Sequence, residues 1–225
     1  MPDQLTLDLP HFVAQDAEDF LISTSNKVAV DIVDCWPDWP ASSVLICGQQ
    51  SVGKSHLVNM WKTRSKANII LASQLDENAA GVLEPGKPVA VEDLHDGIAS
   101  EKALFFLMNM AREHNSTLLI TSRQLPGELC IKLPDLKSRL RAIPVAKILL
   151  PDDLLLQSLL IKLFQDRQLI VKPAIIKAIM TRIERSAQAA SQIVAEIDRL
   201  ALSTRRQVTC TLVVEAVKKV FPKHN

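Results

Sequence analysis

Gly48-Gln49-Gln50-Ser51-Val52-Gly53-Lys54-Ser55 is a complete G-x-x-x-x-G-K-S, and each residue type in it has a task in holding a polyphosphate. The glycines let the backbone fold tightly and aim its N–H groups at phosphate oxygens. The start of a following helix adds the positive end of its dipole, Lys54 reaches the β- and γ-phosphates, and Ser55 ligates Mg²⁺. The chain is glycine-poor, with six glycines in 225 residues, yet two of them stand here. A second group of chemical residues closes the run PVAVEDLH, an apolar strand that ends in Glu92 and Asp93. In phosphoryl transfer one such carboxylate lies near the Mg²⁺ shell and another positions a water. TLLITSR ends a further strand with Thr121 and Ser122, where a hydroxyl senses the γ-phosphate or orients water; taken alone, it would be a helix cap. LPDLKSRL holds Arg139 beside Lys137 and Arg141. An arginine this late in the fold lies on the rim, away from its own nucleotide, where it stabilises transition-state charge in a neighbouring subunit's site. The alternative for Arg139 is a solvated basic loop.

These residues need a scaffold, and the apolar pattern supplies one. SSVLIC runs into the glycine loop as a strand, and Leu57, Val58 and Trp61 continue beyond it on one helical face. NIILAS, PVAVEDLH, TLLITS and VAKILL follow as further buried strands, with an amphipathic segment over residues 101–114 between the third and fourth. Strands alternating with helices predict a parallel sheet covered on both faces. Ahead of the loop, residues 20–22 read as extended and Lys27 to Cys35 as a helix, with Ser25 or Asn26 as N-cap, broken by WPDWP. From Pro151 the character changes. Helices are expected over residues 152–166, 173–185 and 189–202, then a short extended QVTCT and a last helix capped by Thr211. The organisation read from this is a tail over residues 1–15, an α/β nucleotide-binding domain over 16–150 and a helical domain over 151–225.

Composition narrows the function classes. The formal net charge is +1, which gives no general reason for tight non-specific binding to nucleic acid or acidic lipid. Cys35, Cys47, Cys130 and Cys210 lie far apart, matching neither a zinc set nor a disulfide framework and reading as small buried residues in a reducing compartment. The five histidines show no metal-ligand spacing, and no nucleophile elbow or Cys/His signature is present. No apolar run reaches the length of a membrane span and no signal peptide opens the chain, so a cytoplasmic protein is expected. The opening MPDQLTLDLP alternates leucines at Leu5, Leu7 and Leu9 behind Gln4. It could be a strand on its own domain or an extended peptide for another protein's pocket.

Taken together, GQQSVGKSHL, VAVEDLH, LLITSRQLP, LPDLKSRL and the helical C-terminal part resemble the nucleotide-binding region of the replication initiator DnaA, within the AAA+ ATPases. The resemblance runs from about Phe20 to Val220. DnaA also has a C-terminal helix-turn-helix domain and a separate N-terminal domain, for which this chain has no room, so it resembles the short DnaA homologues of the Hda type. That resemblance implies a P-loop AAA+ three-layer sandwich followed by a smaller helical lid. It also implies a role in regulatory inactivation of DnaA: docked on the DNA polymerase III β sliding clamp, and so on DNA only indirectly, such a protein promotes ATP hydrolysis by DnaA. Gln4-Leu5-Thr6-Leu7-Asp8-Leu9 fits the family's clamp peptide Q-L-x-L-x-L, an extended-peptide recognition mode. By the same resemblance, Arg139 is presented to the partner's nucleotide. Gly48, Ser51, Val52, Gly53, Lys54, Ser55 and His56 hold the chain's own ADP or ATP with Mg²⁺ at Ser55 and Glu92, and Leu21, Ile22 and Asn26 lie near the adenine. Three positions depart from the family pattern. Ser191 stands where a sensor arginine is usual, Arg123 where many DnaA proteins have Asp, and Glu92 where Asp is commoner. They imply weak or no hydrolysis at this chain's own site. Self-association is left open. The competing readings are a self-sufficient helicase-loader ATPase of the DnaC or IstB type that binds single-stranded DNA, and a DnaA-interacting structural partner with a vestigial pocket.

Overall fold

Strand β1 (Ser43–Gly48) is buried at every position, and the reason is that helices cover it from both sides. Val44 and Ile46 point into one core with Ala29, Val30 and Val33 of α1 (Lys27–Asp34) and Leu57, Val58 and Trp61 of α2 (Lys54–Ser65). Leu45 and Cys47, one residue out of step, point into the opposite core. There they meet Leu104, Leu107 and Met108 of α4 (Glu101–Glu113) and Leu136 and Leu140 of α5 (Pro134–Ala142). The period of two along a strand thus divides the apolar residues between two layers. The structure, a computed structural model, describes residues 20–204 and 206–222; the expected clamp peptide at Gln4, Leu5, Leu7 and Leu9 lies outside the described residues.

The sheet has five strands in the order β2-β3-β4-β1-β5, every pairing parallel. β2 spans Asn68–Leu71, β3 Val89–Glu92, β4 Leu118–Ser122 and β5 Val145–Ile148. Cys47 of β1 stands opposite Ser122 of β4 and Lys147 of β5. Because all strands run the same way, the loop after Gly48, the carboxylates after Val91 and the hydroxyls closing β4 emerge at one carboxyl edge. This edge is where open parallel sheets bind ligands, beside a strand flanked by neighbours distant in sequence.

Several local expectations change. NIILAS is not a buried strand: β2 is an edge strand with Asn68 and Leu71 exposed, since only β3 pairs with it. Arg139 does not lie in a loop, because Pro134 occupies the first helical turn of α5 and Leu136 and Leu140, one turn apart, are fully buried. A short helix α3 (Glu77–Val82), capped by Asp76 through the N–H of Ala79, was not anticipated. Only Cys47 of the four cysteines is buried; Cys35, Cys130 and Cys210 are exposed.

A division into two compact units falls after Leu150. The second unit is helical among the described residues: α6 (Asp153–Asp166), α7 (Pro173–Met180), α8 (Ala187–Thr204) and α9 (Cys210–Val220). They enclose their own core of Leu156, Leu160, Phe164, Ile179, Ile193 and Val213. α7 ends at Met180, short of the expected Arg185, and after an intervening turn Ser186 accepts the N–H of Ala189 to cap α8. The cap of α9 is Thr209, which accepts from the N–H of Leu212 at 3.3 Å, and not Thr211, which lies inside the helix. No helix among the described residues is long and apolar enough to cross a membrane.

Candidate nucleotide site

The glycine loop is held in shape by contacts that a side chain would destroy. A Cβ on Gly48 would stand 2.7 Å from the carbonyl oxygen of Ile148 and 2.8 Å from Val52 Cγ2. Gly53 has φ +105 and Ser51 φ 60, both left-handed. Successive turns of this kind gather backbone N–H groups on one side and form an anion-binding concavity ahead of a helix start. Lys54 begins α2 and is buried, with Nζ donating to the carbonyls of Gly48 and Gln49, both at 2.8 Å. Burial pushes its ammonium below the ordinary value and the nearby Asp93 carboxylate pulls it back. Of the three donors of an ammonium, two are thus committed to the loop it crosses.

Ser55 and Glu92, expected to share a metal ion, are brought together: the Ser55 side chain hydrogen-bonds the Glu92 carboxyl. Burial raises that carboxyl above its ordinary value and the Ser55 bond opposes the rise. Glu92 Oε1 is buried with no hydrogen-bond partner among the described residues. A serine hydroxyl beside an unpartnered carboxylate oxygen is a pair of hard oxygen donors, which suits Mg²⁺ shared with nucleotide phosphates. Asp93 follows in a left-handed conformation, φ 58, and its N–H donates to Thr121 Oγ1 at 3.0 Å. Ser122 is wholly buried and its Oγ accepts from the N–H of Gln124. These two hydroxyls brace the carboxyl ends of β3 and β4 against each other and against the next turn.

Asn26 stands at the N-cap of α1, but its side chain does not cap it. It faces backwards, with Nδ2 donating to the carbonyl of Leu21 and Oδ1 accepting from the N–H of Ser23, each at 2.8 Å. This folds Leu21 and Ile22 into a fixed hook, Leu21 half-buried and Ile22 exposed. The hook is fastened to β5 where Leu149 N–H donates to the carbonyl of Ser25. Phe20, which sequence reasoning did not single out, lies edge-on to His56 at 5.0 Å and approaches Gly53. Nothing in its local pattern marks it, because its partners lie more than thirty residues away.

Two further residues join the edge. His95 Nδ1 accepts from the N–H of Arg123 at 3.2 Å, and burial lowers the histidine's pKa. Asp93, His95 and Asp96 bring ligand atoms within 4.8 Å of one another. The grouping is local in the sequence, D-x-H-D, and exposed acidic groups commonly gather in this way without a metal ion. Arg123 is exposed directly after Ser122, its carbonyl accepting from Cys47 Sγ.

Arg139 is not among these groups. α5 leads into the start of β5, the edge opposite to the glycine loop, and Arg139 sits one turn before the helix ends. Its guanidinium lies 5.1 Å from the ring centre of Phe105. Ser191, half-buried, belongs to the first turns of α8 in the helical unit.

No family model matches the chain, and no curated protein matches it by sequence. Solved structures do. Domain III of the Thermotoga maritima replication initiation protein DnaA superposes with a TM-score of 0.77 at 16% identity, over 91% of this chain and 96% of that one. AMPPCP-bound DnaA from Aquifex aeolicus gives 0.70 at 15% identity, over 84% of this chain and 67% of that one. The RuvB Holliday junction branch migration motor of Thermotoga maritima gives 0.68 at 14% identity, over 88% and 70%. The fold is therefore that of the P-loop AAA+ proteins, a parallel five-stranded sheet between helical layers.

Proposed function

We propose that this chain is a nucleotide-bound adapter that restrains chromosomal replication initiation by stimulating ATP hydrolysis in the initiator DnaA. Its own ADP or ATP sits on the glycine loop. Lys54 and the loop N–H groups face the phosphates, and Ser55 and Glu92 are the oxygen donors for Mg²⁺, which neutralises phosphate charge when bound. Leu21 and Ile22, hooked by Asn26, line the base. The observation that carries the reading is the separation of two halves of one chemistry. The phosphate loop and the carboxylates occupy the carboxyl edge of the sheet, while α5 leads Arg139 toward the opposite edge. An arginine so placed serves another subunit's triphosphate. There its charge stabilises the transferring phosphoryl group as water attacks the γ-phosphorus and the bond to the ADP oxygen breaks, and such a contact is worth roughly 10³–10⁵ in rate. DnaA is the favoured partner because domain III of DnaA is among the structures that match over nearly their full length. The tail Gln4-Leu5-Thr6-Leu7-Asp8-Leu9 supplies the link to the sliding clamp, its glutamine hydrogen-bonding at a pocket rim and its leucines filling an apolar groove.

The test is phosphate release from ATP-loaded DnaA of the same organism, with this protein, ADP and clamp loaded on DNA. Acceleration that vanishes without clamp, and again with Arg139→Ala, is the expected result. Unchanged stimulation by Arg139→Ala removes the arginine's role. No acceleration while clamp binding persists, together with tight and salt-sensitive retention of single-stranded DNA on filters, replaces the adapter with a helicase-loader ATPase.

A further inference from the structure

Glu101 and Phe105 stand one turn apart on α4 and so share a face of that helix. Each meets a different part of the segment that carries Arg139. The Glu101 carboxylate accepts from the N–H of Lys132 at 2.9 and 3.1 Å and from the N–H of Leu133 at 2.6 Å, the two residues just before α5 begins. Such bonds to an ionised acceptor are among the stronger ones in proteins. Along the helix, Leu136 and Leu140 are fully buried in the core that α4 also fills. Near its end, the guanidinium of Arg139 lies over the ring of Phe105. Start, middle and working residue of α5 are thus mounted on one neighbouring helix.

The choice of an aromatic face for the last contact has a chemical consequence. A carboxylate partner would occupy N–H donors of the guanidinium and cancel its charge. A ring attracts the cation through its quadrupole and leaves all five donors for phosphate oxygens. Among the described residues Arg139 has no carboxylate partner.

We infer that Phe105 is the positioning residue for Arg139: it holds the guanidinium extended and uncommitted, set to meet a partner's nucleoside triphosphate. This rests on the reading of Arg139 given above, and the experiment separates the two. Phe105→Leu keeps an apolar side chain of similar reach and removes the ring. Stimulation of the partner's hydrolysis is titrated with wild-type protein, Phe105→Leu, Phe105→Trp and Arg139→Ala, each checked for unchanged ADP affinity. Phe105→Leu lowers the maximal rate about tenfold, between the few-fold worth of a cation–π contact and the roughly hundredfold cost of an ångström of misplacement. The concentration giving half-maximal stimulation stays the same, and Phe105→Trp restores the rate. In the isolated protein, the side-chain protons of Arg139 are shifted upfield by the ring in NMR spectra, and Phe105→Leu abolishes the shift. Full stimulation by Phe105→Leu beside an inactive Arg139→Ala overturns the positioning role and leaves the adapter reading standing. A loss that Phe105→Trp does not restore, or no upfield shift in the wild type, also overturns it. Full stimulation by Arg139→Ala overturns both.

Discussion

Glu92 carries a conflict between folding and chemistry. Its carboxyl is buried, one oxygen has no partner, and burial lifts its pKa above the ordinary 4.5. The folded chain therefore holds this proton to higher pH than the unfolded chain. The penalty of the charge is full above the raised folded value and absent below about 4.5. Glu92→Gln is expected to stabilise the nucleotide-free protein at neutral pH by about 1 kcal/mol, with the gain fading as pH falls through the raised value toward 4.5. Denaturant midpoints measured across pH check this, and a less stable Glu92→Gln at neutral pH contradicts it. Lys54 is the converse, a buried cation whose bonds to Gly48 and Gln49 oxygens keep it on the loop. Lys54→Ala weakens ADP binding by about 1.5–3 kcal/mol, roughly 10- to 150-fold in calorimetry. Lys54 was legible in the sequence because the glycine loop is a local object, its steric demands set by eight consecutive residues, and Glu92 because it closes an apolar run that forms β3. Phe20 and His95 were less so, since their partners come from distant strands and helices.

Among the elements, α2 does most to hold the loop in place, and its anchor is Trp61. This residue is fully buried, stacked on Trp39 at 5.3 Å and edge-on to Trp36 at 6.3 Å. Trp36 and Trp39 belong to the WPDWP segment, which the sequence marked only as a helix breaker. Their indole N–H groups bond Thr117 Oγ1 and the Ile32 carbonyl, so the breaker is also a clasp on the helix that starts with Lys54. Trp61→Ala should cost about 3–5 kcal/mol in chemical denaturation and weaken nucleotide binding with it, while Trp61→Phe costs less. Stability loss with unaltered ADP affinity would show that the clasp does not reach the loop. Strands β1, β3 and β4 were readable from their apolar runs because two-sided burial makes such runs continuous; β5, at the other edge of the sheet, is not buried throughout as VAKILL suggested, since it alternates buried Ala146 and Ile148 with exposed Lys147. β2 was misjudged since an edge strand with an apolar sequence reads as a central one. α5 was missed because its two buried leucines are flanked by charges that read as loop.

At the scale of the whole molecule, the near balance of charge, +1 over 225 residues, sets an expectation about DNA. Without a surplus of cations there is little counterion release to drive association. Filter binding at physiological salt should therefore show no retention of single-stranded DNA at protein concentrations below about 10 µM. Retention at lower concentrations, lost on adding salt, would point to a basic groove and to the loader reading. The division after Leu150 into two compact units, the first with an apolar core on each face of its sheet and the second with one of its own, coincides with the change of character at Pro151; the seats of individual charged side chains on their surfaces were not legible, since exposed positions obey no apolar pattern. Cys47 has a different use. It lies in β1 between β4 and β5, one residue before the glycine loop, and burial raises its thiol pKa. Its three fellow cysteines are exposed and react with a maleimide at once, whereas this one reacts only when the packing around β1 opens. The slow phase of thiol labelling is thus a clock for opening around β1, and a nucleotide gripped by the adjoining loop should make that clock run slower.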